Sequence, residues 1–188
     1  MVRWEPDSRA RLAEAALGLF AERGYEETTV AAIAERAGLT ERTFFRHFAD
    51  KREVLFSGND EFEMGIIEAV SAAPPEAPPL DAVAAGLFVA AAWLEERRPF
   101  ARRRAAVIQA NRELRERELA KLASLAVSIA EALRARGVAE PLASLSAETG
   151  MAVFRVAFQR WARQAGGATL AELAGESLDE LRAVTAPA

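Results

Sequence analysis

Residues 38–55 read GLTERTFFRHFADKREVL and hold the chain's only histidine, His47, among Arg42, Arg46 and Lys51. Glu41, Thr40 and Thr43 share the stretch with Phe44, Phe45 and Phe48. One chemistry for such a set is proton transfer or metal binding. Either would need a second His, a Cys or converging carboxylates to complete the centre. The chain has no Cys and no second His, so no catalytic or metal-ligating role is assigned to His47. The other chemistry is recognition of nucleic acid. A guanidinium matches guanine O6 and N7 two donors at a time, a carboxylate accepts from cytosine N4, and a Thr methyl meets a thymine methyl.

The elements that must hold these groups are helices. The 188-residue chain is 51% apolar, enough for a sizeable core. Ala, Leu, Glu and Arg dominate, all strong helix formers, and no alternating run suggests a strand. Net charge is −4, which argues against a protein that coats nucleic acid but leaves a site-specific binder open, since placement of charge decides. The missing cysteine suits a reducing compartment. No signal-type apolar segment and no membrane-length apolar run is present, so the expected location is the cytoplasm, with no membrane partner.

A first helix is expected over 7–24, capped by Asp7 or Ser8 and stopped by Gly24, with Leu12, Ala15, Ala16, Leu19 and Phe20 on one face. A second, short helix comes after the cap Thr29, with Val30, Ile33, Ala34 and Ala37 as its stripe, and closes at Gly38. A third runs from Thr40 to about His47. Asp50 and Glu53 form a capping-box pattern that predicts a fourth helix from 50 to about 71. The proline-rich AAPPEAPPL interrupts the chain. Helices are then expected over 80–97, 100–109, 111–136, 142–165 and 169–184, with Pro99 either breaking one or starting the next.

Two short helices joined at Gly38–Leu39 have the layout of a helix-turn-helix, whose second helix enters the major groove. Phe44 and Phe48, four residues apart, face inward in this reading. Glu41, Arg42, Thr43, Arg46 and His47 cover the outer face. Thr29 and Lys51 stand at helix starts, where free N–H groups favour a phosphate.

TTVAAIAERAGLTERTFFRHFADKREVL resembles the DNA-binding segment of the TetR family of bacterial transcriptional repressors, over about residues 9–56. The likeness lies in Thr29, the Ile-Ala pair, the Ala-Gly turn, Thr43, the aromatics at 45 and 48, and Lys51. It implies an N-terminal three-helix head with a helix-turn-helix at 1–56. It also implies a C-terminal helical body at 57–188 that binds a small molecule and dimerises, about nine helices in all. DNA-facing positions would be Thr29, Thr40, Glu41, Arg42, Thr43, Phe45, Arg46, His47 and Lys51. Many relatives carry Tyr at the position of Phe45, so the contact here would be apolar. Position 42 is often small in the family, so Arg42 suggests a distinct operator. The stretch from about 93 to 161 is also similar to actinobacterial members with acyl-CoA-like ligands, mycofactocin-type regulators among them.

In the body, Phe88, Trp93, Phe100, Ile108, Asn111, Phe154 and Phe158 are candidate pocket residues. Met151, Phe154, Phe158 and Trp161 make an aromatic stripe. Leu142, Leu145, Val153, Trp161, Leu170, Leu173, Leu178 and Leu181 are candidates for a homodimer interface, as the last two helices of each subunit pack together in the resembled family. The arginine run EERRPFARRR is either solvated surface or an anion-binding patch. The carboxylates of NRELRERELAK read as a solvated face of i, i+4 pairs rather than an active site. The expected protein is thus a non-enzymatic regulator without a cofactor. It would bind a palindromic double-stranded operator as a homodimer, released by an effector that is acyl-CoA-like. The alternatives are a helical acyl-chain-binding protein or enzyme that does not bind DNA, and a DNA-binding dimer without an inducer.

Overall fold

The computed structural model describes residues 8–56, 60–164 and 166–185. Regular structure among them is entirely helical: α1 (Ser8–Arg23), α2 (Val30–Arg36), α3 (Glu41–His47), α4 (Asp60–Ala72), α5 (Pro79–Glu96), α6 (Arg98–Ala110), α7 (Arg112–Ala135), α8 (Leu142–Arg163) and α9 (Leu170–Thr185). The all-α class with nine helices is as expected. Pro99 starts a helix, lying in the first turn of α6, where its missing N–H leaves no bond unmade. Of the two proposed caps for α1, Asp7 lies outside the described residues.

The chain forms two compact units, Met1–Asn59 with Arg102–Glu118, and Asp60–Ala101 with Leu119–Ala188. Both α6 and α7 therefore give residues to each unit. This departs from the expected division into 1–56 and 57–188. In the first unit, α1 packs on α2, on α3 and on the short turn Glu53–Leu55. Leu12, Ala16, Leu17, Leu19 and Phe20 of α1 are buried, with Ile33, Phe44, Phe48, Val54, Leu55 and Phe56. Ile108 and Leu114, from the 102–118 segment, are equally buried. Hydrophobic burial is one reason the segment joins this unit; ion pairs to Glu14, Arg52 and Glu53 are the other.

The fourth helix differs from expectation. Asp50 does cap: its Oδ1 accepts from the N–H of Arg52 at 2.8 Å and of Glu53 at 3.1 Å. The chain then makes only a single 3-10 turn, Glu53–Leu55, and α4 begins at Asp60. A capping pattern satisfies the first free N–H groups of any turn and does not fix how far the helix continues.

In the second unit α5 packs on α4, α8 and α9, and α8 packs on α9. Glycines let these helices approach. A Cβ on Gly150 of α8 would lie 2.3 Å from Val83 Cγ1 of α5, and one on Gly86 of α5 would lie 2.9 Å from Val70 Cγ2 of α4. Glu95 of α5 ties its own helix to α6, α8 and α9. Its Oε2 accepts from Trp161 Nε1 at 2.9 Å and from the Leu170 N–H at 3.2 Å, while Oε1 pairs with Arg98 at 3.1 Å.

Candidate nucleic-acid interface

Helix α3 is set by its ends and by one inner face. Gly38, at φ +64°, makes the turn after α2 in a conformation that suits glycine. Thr40 Oγ1 accepts from the Thr43 N–H at 3.2 Å and lies 3.0 Å from Thr43 Oγ1. Inward, Phe44 is fully buried and its ring meets that of Phe48 at 5.1 Å. A helix of seven residues is marginal alone; these two rings fix it to the first unit.

Glu41, Arg42, Phe45 and Arg46 are exposed on α3. Glu41, Arg42 and Arg46 make no hydrogen bond or ion pair with the described residues. Their neighbours behave otherwise. Arg36 of α2 forms a two-point pair with Glu22 at 2.6 and 2.8 Å, which holds the Glu22 carboxyl below its usual range. Arg11 donates to the Ala37 carbonyl at 2.5 Å. Arg36 and Arg11 are thus committed to the scaffold, while Arg42 and Arg46 of α3 have no partner among the described residues. Phe45, 55% exposed, stands between them.

The remaining expected contacts fall differently. Thr29 caps α2, accepting from the Ala32 N–H at 3.1 Å, and is exposed. His47 Nε2 lies 2.7 Å from Ser8 Oγ, so one ring nitrogen is tied to the start of α1. Lys51 is the clearest change. Its Nζ donates to the carbonyls of Tyr25 at 2.7 Å and Glu26 at 3.4 Å and sits 4.1 Å from the centre of the Tyr25 ring. This ammonium braces the turn between α1 and α2. It does not stand in the first turn of a long helix, the placement that suggested a phosphate contact. Burial, then the Glu113 carboxylate, pushes the Tyr25 phenol up to about 12.

Sequence reasoning missed the 102–118 segment as part of this unit. Arg103 pairs with Glu14 at 2.5 Å, Arg52 with Glu113 at 3.1 Å, and Arg117 with Glu53 at 2.7 Å. Arg104 pairs with Glu118 at 3.0 Å, donates to the Leu55 carbonyl at 2.8 Å and lies over the Phe56 ring. Asn111 Nδ2 donates to Glu26 at 3.2 Å. Only Arg112–Glu116 in this stretch is the expected i, i+4 pair, at 2.8 Å. The arginine run is likewise engaged: Arg97 with Glu96, Arg98 with Glu95, Arg103 with Glu14 and Arg104 with Glu118. Arg102 also has a partner. An open anion patch is not what these residues form.

The candidate pocket residues divide between the units. Ile108 and Asn111 belong to the first, where Ile108 is core and Asn111 Oδ1 caps α7 through the Leu114 N–H. In the second, Phe154 stacks on Phe158 at 5.9 Å, Phe158 meets Trp161 at 5.5 Å, and Trp93 meets Phe62 at 5.1 Å. Phe100 is half-buried and Phe88 exposed. Of the proposed interface residues, Val153, Trp161, Leu170, Leu173 and Leu178 are buried in the chain's own core, and Leu181 packs against it. These side chains are taken up by α5, α8 and α9 themselves. Leu142 and Leu145 remain exposed on α8, with Val156.

Residues 12–57 match the family model described as bacterial regulatory proteins, tetR family. Over 76 residues the chain is 41% identical to the HTH-type transcriptional regulator TcmR of Streptomyces glaucescens, a stretch that is 40% of this chain and 34% of that protein. Over 60 residues it is 40% identical to the HTH-type transcriptional repressor KstR2 of Mycobacterium tuberculosis, 32% of this chain and 28% of that one. The likeness to these relatives thus spans about a third of their length or less. A solved structure of Thermus thermophilus FadR, a TetR-family repressor in complex with lauroyl-CoA, shares the fold with a TM-score of 0.62 at 24% identity, covering 96% of each chain. Residues 12–57 thus match the tetR-family segment, and the described helices share the fold of that Thermus thermophilus structure.

Proposed function

We propose that the chain is a transcriptional regulator that binds a palindromic operator as a homodimer and is released from it by a small molecule. The observation that carries the DNA reading is the outer face of α3: Glu41, Arg42 and Arg46, unpaired among the described residues, beside an exposed Phe45, on a helix locked from behind by Phe44 and Phe48. Unpaired guanidinium groups on a rigid support are suited to base edges and phosphates. The dimer reading is supported by Leu142, Leu145 and Val156, large apolar residues left exposed on α8. Selection of bound duplexes from random DNA tests both at once. A two-fold symmetric consensus is expected; no enrichment, or a site without symmetry, rejects the reading.

For the effector, the aromatic stack of Phe154, Phe158 and Trp161 and the Phe62–Trp93 pair support an acyl chain as the apolar part, and hence an acyl-CoA-like ligand. The arginines give its anionic head no support, because they are paired. A second reading rests on an open concavity of about 330 Å³ lined by Asp60, Glu63, Glu68, Met64, Ile67 and Ser128. Its carboxylates and apolar floor suit a cationic amphiphile. Titrating the operator complex with an acyl-CoA, the free fatty acid and a cationic dye separates the two: release by the thioester supports the first, release by the dye alone the second.

A further inference from the structure

We propose that Phe45 is a sequence-reading residue, selecting the 5-methyl group of one thymine in each operator half-site. The inference rests on the proposed operator binding and adds a base and an atom to it.

Three observations carry it. Phe45 is 55% exposed on a helix whose other outward groups are Glu41, Arg42 and Arg46, so a large apolar surface is offered within a polar one. The ring is not loose: it meets the buried Phe44 ring edge-on, at 5.5 Å between centroids and 81° between planes. Phe44 in turn is fully buried and packed on Phe48. The exposed ring is therefore aimed by the core. Thirdly, Phe45 has no hydroxyl, so it offers a phosphate nothing.

A helix laid in the major groove meets donors and acceptors at every base pair and one apolar group, the thymine methyl. A phenyl ring on the groove-facing side gains by covering that methyl and loses where it meets the cytosine amino group instead, since covering a polar group without a hydrogen bond is unfavourable. Arg46, on the same exposed side, would hold the helix in the groove, and Arg42 would read a base other than the one Phe45 selects. The same logic admits 5-methylcytosine at the position, because that base carries the methyl in the same place.

The test uses the full chain and a duplex it enriches from random DNA. Each thymine is replaced singly by deoxyuridine, which removes the methyl and keeps the hydrogen-bonding edge. One thymine per half-site is expected to weaken binding about 3- to 5-fold on replacement, the factor for exposing one buried methyl. That penalty should vanish in Phe45→Ala and in Phe45→Gln, and persist in Phe45→Leu, which keeps apolar bulk. Placing 5-methylcytosine at that position should bind more tightly than cytosine. Neutral deoxyuridine at every position, or a penalty unchanged in Phe45→Ala, overturns the proposal while leaving the operator reading intact. No enriched duplex at all overturns both.

Discussion

At the scale of single residues, what separates a reading side chain from a scaffold side chain is whether the protein already satisfies it. Arg36 and Lys51 are as basic as Arg42, yet each makes two hydrogen bonds within the first unit, whereas Arg42 makes none among the described residues. Arg42→Ala is therefore expected to relax base preference at one position per half-site by roughly 1–3 kcal/mol without lowering stability. Lys51→Ala is expected to lower the denaturation midpoint first, by roughly 1–2 kcal/mol, because its hydrogen bonds and ring contact at the turn are removed; urea titration and operator affinity measured on both variants check this split. Tyr25 gives a pH dependence. Its folded value, about 12, lies above the ordinary 10.0, so its contribution to stability is complete below pH ~10 and is lost as pH rises toward 12. Urea midpoints between pH 9 and 12 should fall less steeply in Tyr25→Phe than in the parent chain. The inner and outer sorting of Phe44, Phe45 and Phe48 was legible from spacing alone. The partners of Lys51 were not, because the carbonyls it meets, at 25 and 26, are brought to it by the fold.

At the scale of elements, most helices were legible from stripes and caps: Thr29 and Thr40 cap α2 and α3 as read. The start of α4 was not, since the Asp50 pattern serves a single turn. Charge patterning misled more. Glu113, Arg117 and Glu118 look like rungs of a solvated helix, but they pair with Arg52, Glu53 and Arg104. Local spacing cannot distinguish an i, i+4 pair from a pair made across the fold. Two predictions belong here. Thr40→Ala removes the α3 cap, costs about 1 kcal/mol, and should weaken operator binding by loosening the helix; amide exchange across 41–47 would rise. Gly150→Ala forces a Cβ against Val83 and should destabilise the second unit by roughly 1–3 kcal/mol, read as a lowered Tm. An unchanged Tm would mean that α5 and α8 do not approach as closely as described.

At the scale of the whole molecule, the all-helical class and the family whose model residues 12–57 match were legible, and what covers the apolar stripe of α8 was not. An apolar stripe on α8 says that the helix is covered; it does not say whether by the same chain or by a second one. Val153 and Trp161 proved to be covered by the chain's own core, which leaves Leu142 and Leu145 exposed. Leu145→Asp should leave the fold intact and shift sedimentation at micromolar concentration from dimer toward monomer, because a carboxylate in place of a central apolar side chain weakens an interface by roughly 2 kcal/mol or more. A dimer unaffected by that change would place the interface elsewhere. The assignment as a whole stands on the outer face of α3, and one titration tests it most directly: affinity for a selected duplex, as a function of salt, for the parent chain and for a variant with Glu41, Arg42 and Arg46 all changed to Ala. All three side chains are exposed and unpaired among the described residues, so the variant should fold with the parent's Tm. It is predicted to lose at least about 100-fold in affinity, and its preference for the selected sequence, with a shallower salt dependence. A variant that binds the same duplex with the parent's affinity and salt slope would contradict the assignment of this helix as the DNA-reading element.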